Sequence, residues 1–266
     1  MAKKGTKYVA KIPDANGVIH YTDAENKIWN TLITRQKADL KNEACQEYLD
    51  ALELMNFPED RVPQCTDVSN IMRAHTGWEV APVPALINFP RFFGLLANKR
   101  FPAATFIRTE DELDYLQEPD IFHELFGHTP LLTDPRFAAF THAYGRAGVM
   151  ANKADQAMLA RLYWFTVEFG LMNSGNGLKT YGAGIVSSIS ESDYALNSDI
   201  PQRKPFDPID MLRTPYRIDI FQTVYFVLES LDQLFDLAQQ DLLGLIKQAR
   251  KLGMHEPTFP PPEKVA

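Results

Sequence analysis

Sixteen residues, Ala157 to Met172, restrict the fold more than any other stretch of this 266-residue chain. In AMLARLYWFTVEFGLM twelve side chains are apolar and only Arg161 and Glu168 are charged. A run this apolar packs inside, and Glu168 goes in with Trp164, Phe165, Phe169, Leu171 and Met172 as helical neighbours. An ionised carboxylate buried without a partner costs several kcal/mol, so this one needs a cation, a hydrogen-bond network or a proton. Arg161, seven residues earlier, is the plain partner. A divalent metal answers the same need.

The remaining chain can build the core that such a run requires. Its hydrophobic share of 45% with 23% charged residues is that of a globular protein rather than a disordered or membrane one. A chain of this length buries roughly three quarters of its unfolded surface, so Cys45 and Cys65 are not needed as a scaffold. No apolar run follows the charged start MAKKGTKYVAK, which points to the cytoplasm and away from secretion or a membrane. A net charge of -7 without a long Lys/Arg run argues against nucleic acid. There is no internal repeat and no Gly/Ser linker, so one continuous domain is expected.

Periodicity predicts a mainly α fold: a single compact helical domain with short β-strands. Helices are expected over Glu25 to Leu40 and Ala44 to Met55, then a third, capped by Asp67 or Ser69, that ends at Gly77. Pro82, Pro84 and Pro90 make Trp78 to Pro90 an extended loop, before a short helix over Arg91 to Asn98 and a strand over Ala104 to Arg108. Asp120 to Leu125 starts a helix that Pro130 ends or bends, and Asp134 caps the next. One apolar helix is expected over Asp155 to Met172. Ser190 to Pro215 reads as a long surface loop, Phe221 to Leu252 as the clearest helical signal, and EPTFPPPEKVA as a frayed tail.

The chain has six histidines, and two share one helix-like segment, EPDIFHELFGHTP. A step of five separates His123 and His128 by about 140° on an α-helix, whereas a step of four gives about 40°. The zinc-protease pattern H-E-x-x-H therefore fails here by one residue. The two imidazoles can still meet on one metal if the backbone departs from helical geometry near Gly127; otherwise they are ordinary packed or surface histidines. With Glu168 they make two imidazoles and a carboxylate, a donor set that leaves three positions open on an octahedral Fe(II). None of the six begins the H-x-D or H-x-E motif of the β-sandwich 2-oxoglutarate oxygenases.

Three blocks, EPDIFHELFGH, LYWFTVEFGL and YGAGIVSS, resemble in sequence and order the signature blocks of the pterin-dependent aromatic amino acid hydroxylases. The likeness is greatest to the bacterial, phenylalanine-hydroxylating branch and runs from about Tyr21 to the last long helix. It implies an N-terminal arm over 1–20, an iron- and pterin-binding catalytic domain over 21–254, and a tail over 255–266. By resemblance His123, His128 and Glu168 are the iron ligands. Phe92 in LINFPRFFG stacks on the pterin, Leu86 and Ile87 meet its edge, and Glu124 lies near pterin and iron. Arg108 holds the substrate carboxylate, as a planar guanidinium fork is suited to do. Pro119 and Trp164 wall the substrate ring, Ser187 and Tyr163 lie near it or near the first histidine, and Asp120 accepts from an imidazole. Tyr216 and Ile218 belong to a lid-side loop, where an apolar residue at 218 favours phenylalanine over tyrosine.

Read alone, Phe92, Tyr163 and Trp164 are core aromatics, Glu124 is an exposed helix carboxylate, and Arg108 pairs at the surface with Glu110 or Asp111. The reaction implied is hydroxylation of L-phenylalanine to L-tyrosine by O₂, with Fe(II) and tetrahydrobiopterin or a related tetrahydropterin, in a monomer or small homo-oligomer. Tyrosine or tryptophan hydroxylation is the alternative within the family. A zinc hydrolase with Glu124 as base, or a non-catalytic helical protein with Phe221 to Leu252 as partner surface, are the alternatives outside it.

Overall fold

The computed structural model describes residues 8–84, 86–114, 116 and 118–260. Helix α1 (Asp23–Glu43) opens on a capping box between Thr22 and Glu25 and buries Trp29, Leu32, Ile33, Gln36 and Leu40. Extended Ala44 and Cys45 separate it from α2 (Gln46–Met55). Helix α3 (Cys65–Thr76) starts earlier than its polar residues suggest, with Gln64 at the cap position, and Gly77 ends it at φ 76°. Ser69 does not cap it: its hydroxyl donates to Cys65 O and accepts from Val80 N.

The Pro-rich stretch contains a strand rather than only a loop. Strand β1 (Glu79–Val83) pairs in parallel with β2 (Arg100–Ala104). Both strands of a two-stranded sheet are edges, so Pro82 and Pro102 remove no interior ladder bond. Between them α4 (Phe89–Leu96) begins two residues before the expected start, because Asn88 caps it and Pro90 falls in the first turn, where no N–H is missed. Strand β2 ends at Ala104, where the expected strand would begin, and Arg108 follows on irregular backbone.

Asp134 caps α5 (Pro135–Met150), accepting from Arg136 N and Phe137 N. The apolar run then divides. It forms α6 (Lys153–Tyr163), a π-helical turn at Trp164–Glu168, and strand β3 (Gly170–Ser174). Gly170 allows this break, since a Cβ there would come within 2.1 Å of the Tyr181 ring. Strand β4 (Gly177–Thr180), α7 (Ala183–Val186), α8 (Ile189–Asn197), β5 (Gln202–Pro205) and α9 (Pro208–Arg213) follow, so most of the expected surface loop is regular structure.

The Phe221 to Leu252 pattern likewise divides into β6 (Val224–Leu228), α10 (Asp232–Ala238) and α11 (Leu242–Leu252). All five residues of β6 are buried, so no polar alternation marks it as a strand. The second sheet has the order β4-β3-β6-β5, antiparallel between β3 and β4 and parallel elsewhere. Gly253 to Pro260 is tied down rather than frayed: His255 N donates to Arg213 O, the Thr258 and Thr223 hydroxyls are 2.6 Å apart, and Arg217 donates to Pro260 O. Residues 261–266 lie outside the described residues. The fold is mainly helical with two small sheets, as the sequence predicts.

Candidate metal centre and its surroundings

His123–His128 is a π-helical turn, whose hydrogen bonds span five residues instead of four. Residues five apart then share a face, and the spacing that fails on an α-helix succeeds. The two Nε2 atoms lie 3.1 Å apart. Gly127 faces α7 inside this turn, where a Cβ would sit 3.0 Å from the Ala183 carbonyl oxygen. The second π turn, closed by Phe169 N donating to Trp164 O at 2.8 Å, delivers Glu168. Its Oε1 is 3.3 Å from His128 Nε2 and its Oε2 is 3.6 Å from His123 Nε2. Arg161 is turned elsewhere, to Ala157 O and Met158 Sδ.

These separations fit one metal ion. Cis donors about 2.1 Å from an octahedral cation lie about 3.0 Å from each other. One ligand atom from each of His123, His128 and Glu168 falls within 4.8 Å of the others. Ser187 Oγ donates its single hydrogen to Ala183 O at 2.7 Å, so His123 Nδ1, 2.9 Å from that oxygen, is the donor to it. The proton on Nδ1 leaves the Nε2 lone pair free to ligate. Asp120 supports His123 through the backbone, accepting from His123 N at 3.1 Å, and not through the ring as expected. Among the described residues, buried His128 Nδ1 has no hydrogen-bond partner.

Burial lowers the His123 imidazole to about 4 against the attraction of Glu168, which keeps the ring neutral at pH 7. For Glu168, burial raises the carboxyl, but attraction and hydrogen bonding from His128, aided by His123, outweigh it and hold the group below its ordinary value. Glu124 behaves oppositely. It is buried rather than exposed, and burial, with the Glu168 charge adding to it, raises its carboxyl well above the ordinary range despite a hydrogen bond from the Ala104 backbone.

The outer residues divide between those in clear contact with this group and those farther out. Half-buried Phe92 on α4 stands edge-on to Tyr163 at 5.4 Å, and the Tyr163 ring lies 6.3 Å from that of His128. Leu86 and Ile87 lie in the loop before α4, Leu86 exposed and Ile87 half-buried. Arg108 is not a surface residue paired with Glu110 or Asp111. Its Nε and one terminal nitrogen donate to the two oxygens of fully buried Asp120 at 2.9 and 3.0 Å, while the other terminal nitrogen donates to Leu113 O at 3.4 Å. Half-buried Pro119 precedes that aspartate.

Trp164 stacks on Tyr216 at 4.6 Å and donates from Nε1 to Gln222 Oε1 at 2.8 Å. Ile218 is 75% exposed, so its apolar side chain gives no pocket-based argument about substrate. Gln222 escapes sequence reading, its one signal being an amide at the head of the apolar run TVYFVL.

Two imidazoles and a carboxylate converging from two π turns define a mononuclear metal protein. The model of the family described as "biopterin-dependent aromatic amino acid hydroxylase" matches residues 2–248. The chain belongs to that family. It is 56% identical over 258 residues to the phenylalanine-4-hydroxylase of Pseudomonas aeruginosa, covering 97% of this chain and 98% of that one. Its fold matches the apo structure of the cold-active phenylalanine hydroxylase of Colwellia psychrerythraea 34H with a TM-score of 0.93 and 52% identity, over 94% of this chain and 97% of that one. The Chromobacterium violaceum phenylalanine hydroxylase with bound oxidised Fe(III) matches with a TM-score of 0.87 and 44% identity, over 96% and 92%.

Proposed function

We propose that this protein is an Fe(II)- and tetrahydropterin-dependent monooxygenase that converts L-phenylalanine to L-tyrosine with O₂. The observation that carries this reading is the convergence of His123, His128 and Glu168 within the fold of the family. The names of the relatives supply the substrate, in place of the argument from Ile218. When bound, iron and the reduced pterin together supply the activation of O₂. The chain supplies geometry and protons. Phe92 offers the pterin a ring face, Leu86 and Ile87 its edge contacts, and Glu124 a carboxyl group beside pterin and iron. Arg108 binds the substrate carboxylate with the terminal nitrogen that Asp120 leaves free, because Asp120 occupies the other edge of the fork. Pro119, Trp164 and Tyr216 wall the substrate ring, and Ser187 sets the tautomer of His123.

Residues 21–254 form the catalytic unit in this reading, in a cytoplasmic monomer or small homo-oligomer. Among the described residues no helix is long and apolar enough to cross a membrane. The test is tyrosine formation by metal-stripped protein in air, with tetrahydropterin and with Fe(II) or Zn(II) added back. Tyrosine is expected only with Fe(II) and pterin together, with slower turnover of tryptophan and tyrosine and none in His123→Ala. Folded, iron-loaded protein that forms no product from phenylalanine contradicts the proposal.

A further inference from the structure

We infer that Gln222 is the positioning residue that joins the Trp164 indole to the 217–222 loop, so that the ring wall and the loop behave as one unit in phenylalanine binding. This role rests on the reading of Trp164 as a wall of the substrate pocket. Gln222 is 4% exposed, and each polar atom of its side chain is used. Oε1 accepts from Trp164 Nε1 at 2.8 Å, while Nε2 donates to Arg217 O at 3.0 Å and Ile220 O at 3.1 Å. Its backbone N–H donates to Glu191 Oε1, which also accepts from the Tyr225 hydroxyl. The side-chain amide thus closes the loop on itself and holds the indole, while the backbone N–H of the same residue anchors the loop to α8.

The position of that indole matters because it shares a π turn with Glu168, four residues away. Its ring is packed between Tyr216 at 4.6 Å and Phe169 at 4.5 Å, and Tyr216 belongs to the segment leading into the same loop. Stacking fixes the plane of a ring but leaves rotation and sliding within that plane. A directed N–H bond removes that freedom. Trp78 is a useful contrast: among the described residues its buried Nε1 has no hydrogen-bond partner, and the fully enclosed indole is held there by packing. Trp164 is only half-buried, and the Gln222 bond supplies the restraint that full enclosure supplies for Trp78.

The test pairs Gln222→Met, of similar length without polar atoms, with Gln222→Glu, which keeps an oxygen for the indole but can serve at most one of the two carbonyls. In metal-free protein labelled with ¹⁵N-tryptophan, three indole N–H signals are expected, and Trp164→Phe identifies one of them. In Gln222→Met that signal should move and exchange faster with water, while those of Trp29 and Trp78 stay in place and report an intact fold. In the iron-loaded enzyme KM for phenylalanine should rise about tenfold, with a smaller change in kcat and none in KM for the pterin. Gln222→Glu should keep the indole signal near its original position and recover part of the loss in KM. A Trp164 signal that does not move in Gln222→Met, or one that moves while KM stays unchanged, overturns the inference. Unchanged KM in Trp164→Phe removes the wall itself and the inference with it, a failure distinguished by an indole signal that still responds to Gln222→Met.

Discussion

Glu168→Ala is expected to lose stoichiometric iron and, with it, iron-dependent tyrosine formation. Removing a partner outside the ligand shell costs about 10–100-fold in metal affinity, and removal of one of three direct donors should exceed that. The remaining pair is two imidazoles, which bring no negative charge to balance the cation. Stability separates this effect from misfolding. Wild-type protein should gain about 2.7 kcal/mol when Fe(II) is present at a hundred times its dissociation constant, and the variant should gain almost nothing. Metal-free variant should melt somewhat lower than metal-free wild type, because the substitution removes the carboxylate that His128 and His123 attract, so the gain on adding Fe(II), and not the absolute melting point, reports ligand loss. Metal analysis and thermal melts with and without Fe(II) check both statements. Full iron content in Glu168→Ala would remove Glu168 from the ligand set.

The second large effect is on stability. Asp120→Ala leaves the buried Arg108 guanidinium without its carboxylate, and breaking such a pair from one side costs about 3–5 kcal/mol. It also releases the fork that presents Arg108 to substrate, so KM for phenylalanine should rise together with the fall in stability. Burial raises the Asp120 carboxyl, but the guanidinium and the backbone N–H groups of Arg108 and His123 outweigh it and hold the group below its ordinary value. The stabilisation is therefore complete above the unfolded-state value of about 3.9 and is lost as pH falls through the lower folded value. Acid unfolding of wild type should include this loss below about pH 4, and the variant should lack it. Denaturant titration at pH 7 and pH 3 measures the difference. A variant within about 0.5 kcal/mol of wild type at pH 7 would show that the pair contributes no more than a surface contact.

Where local chemistry determines local structure, the fold is legible in the sequence. Thr22 with Glu25 starts α1, Gly77 ends α3, and Asp134 starts α5. Where tertiary packing decides, it is not. The Asp155 to Met172 run has the apolar density of one helix, yet the close approach that breaks it comes from Tyr181, which lies outside the run and folds back onto Gly170. Strand β6 is buried on both faces, so its residues satisfy helical spacing as well as strand spacing. The centre shows the same division. Glu168 is marked by its charge in an apolar run, but the five-residue step of the histidines becomes a shared face only in a π turn, which has no propensity signal of its own. Arg108 has two acidic neighbours in sequence and chooses neither, because Asp120, twelve residues on, offers both oxygens inside the protein. Gln222 and Trp164 are 58 residues apart, and nothing local relates them.

The most direct measurement is anomalous diffraction at the iron absorption edge from a crystal of Fe(II)-loaded protein. One strong peak is expected about 2.1 Å from His123 Nε2, His128 Nε2 and a Glu168 carboxylate oxygen, with His123 Nδ1 still on Ser187. A peak elsewhere, or a Glu168 turned away from the ion towards Arg161, would contradict it.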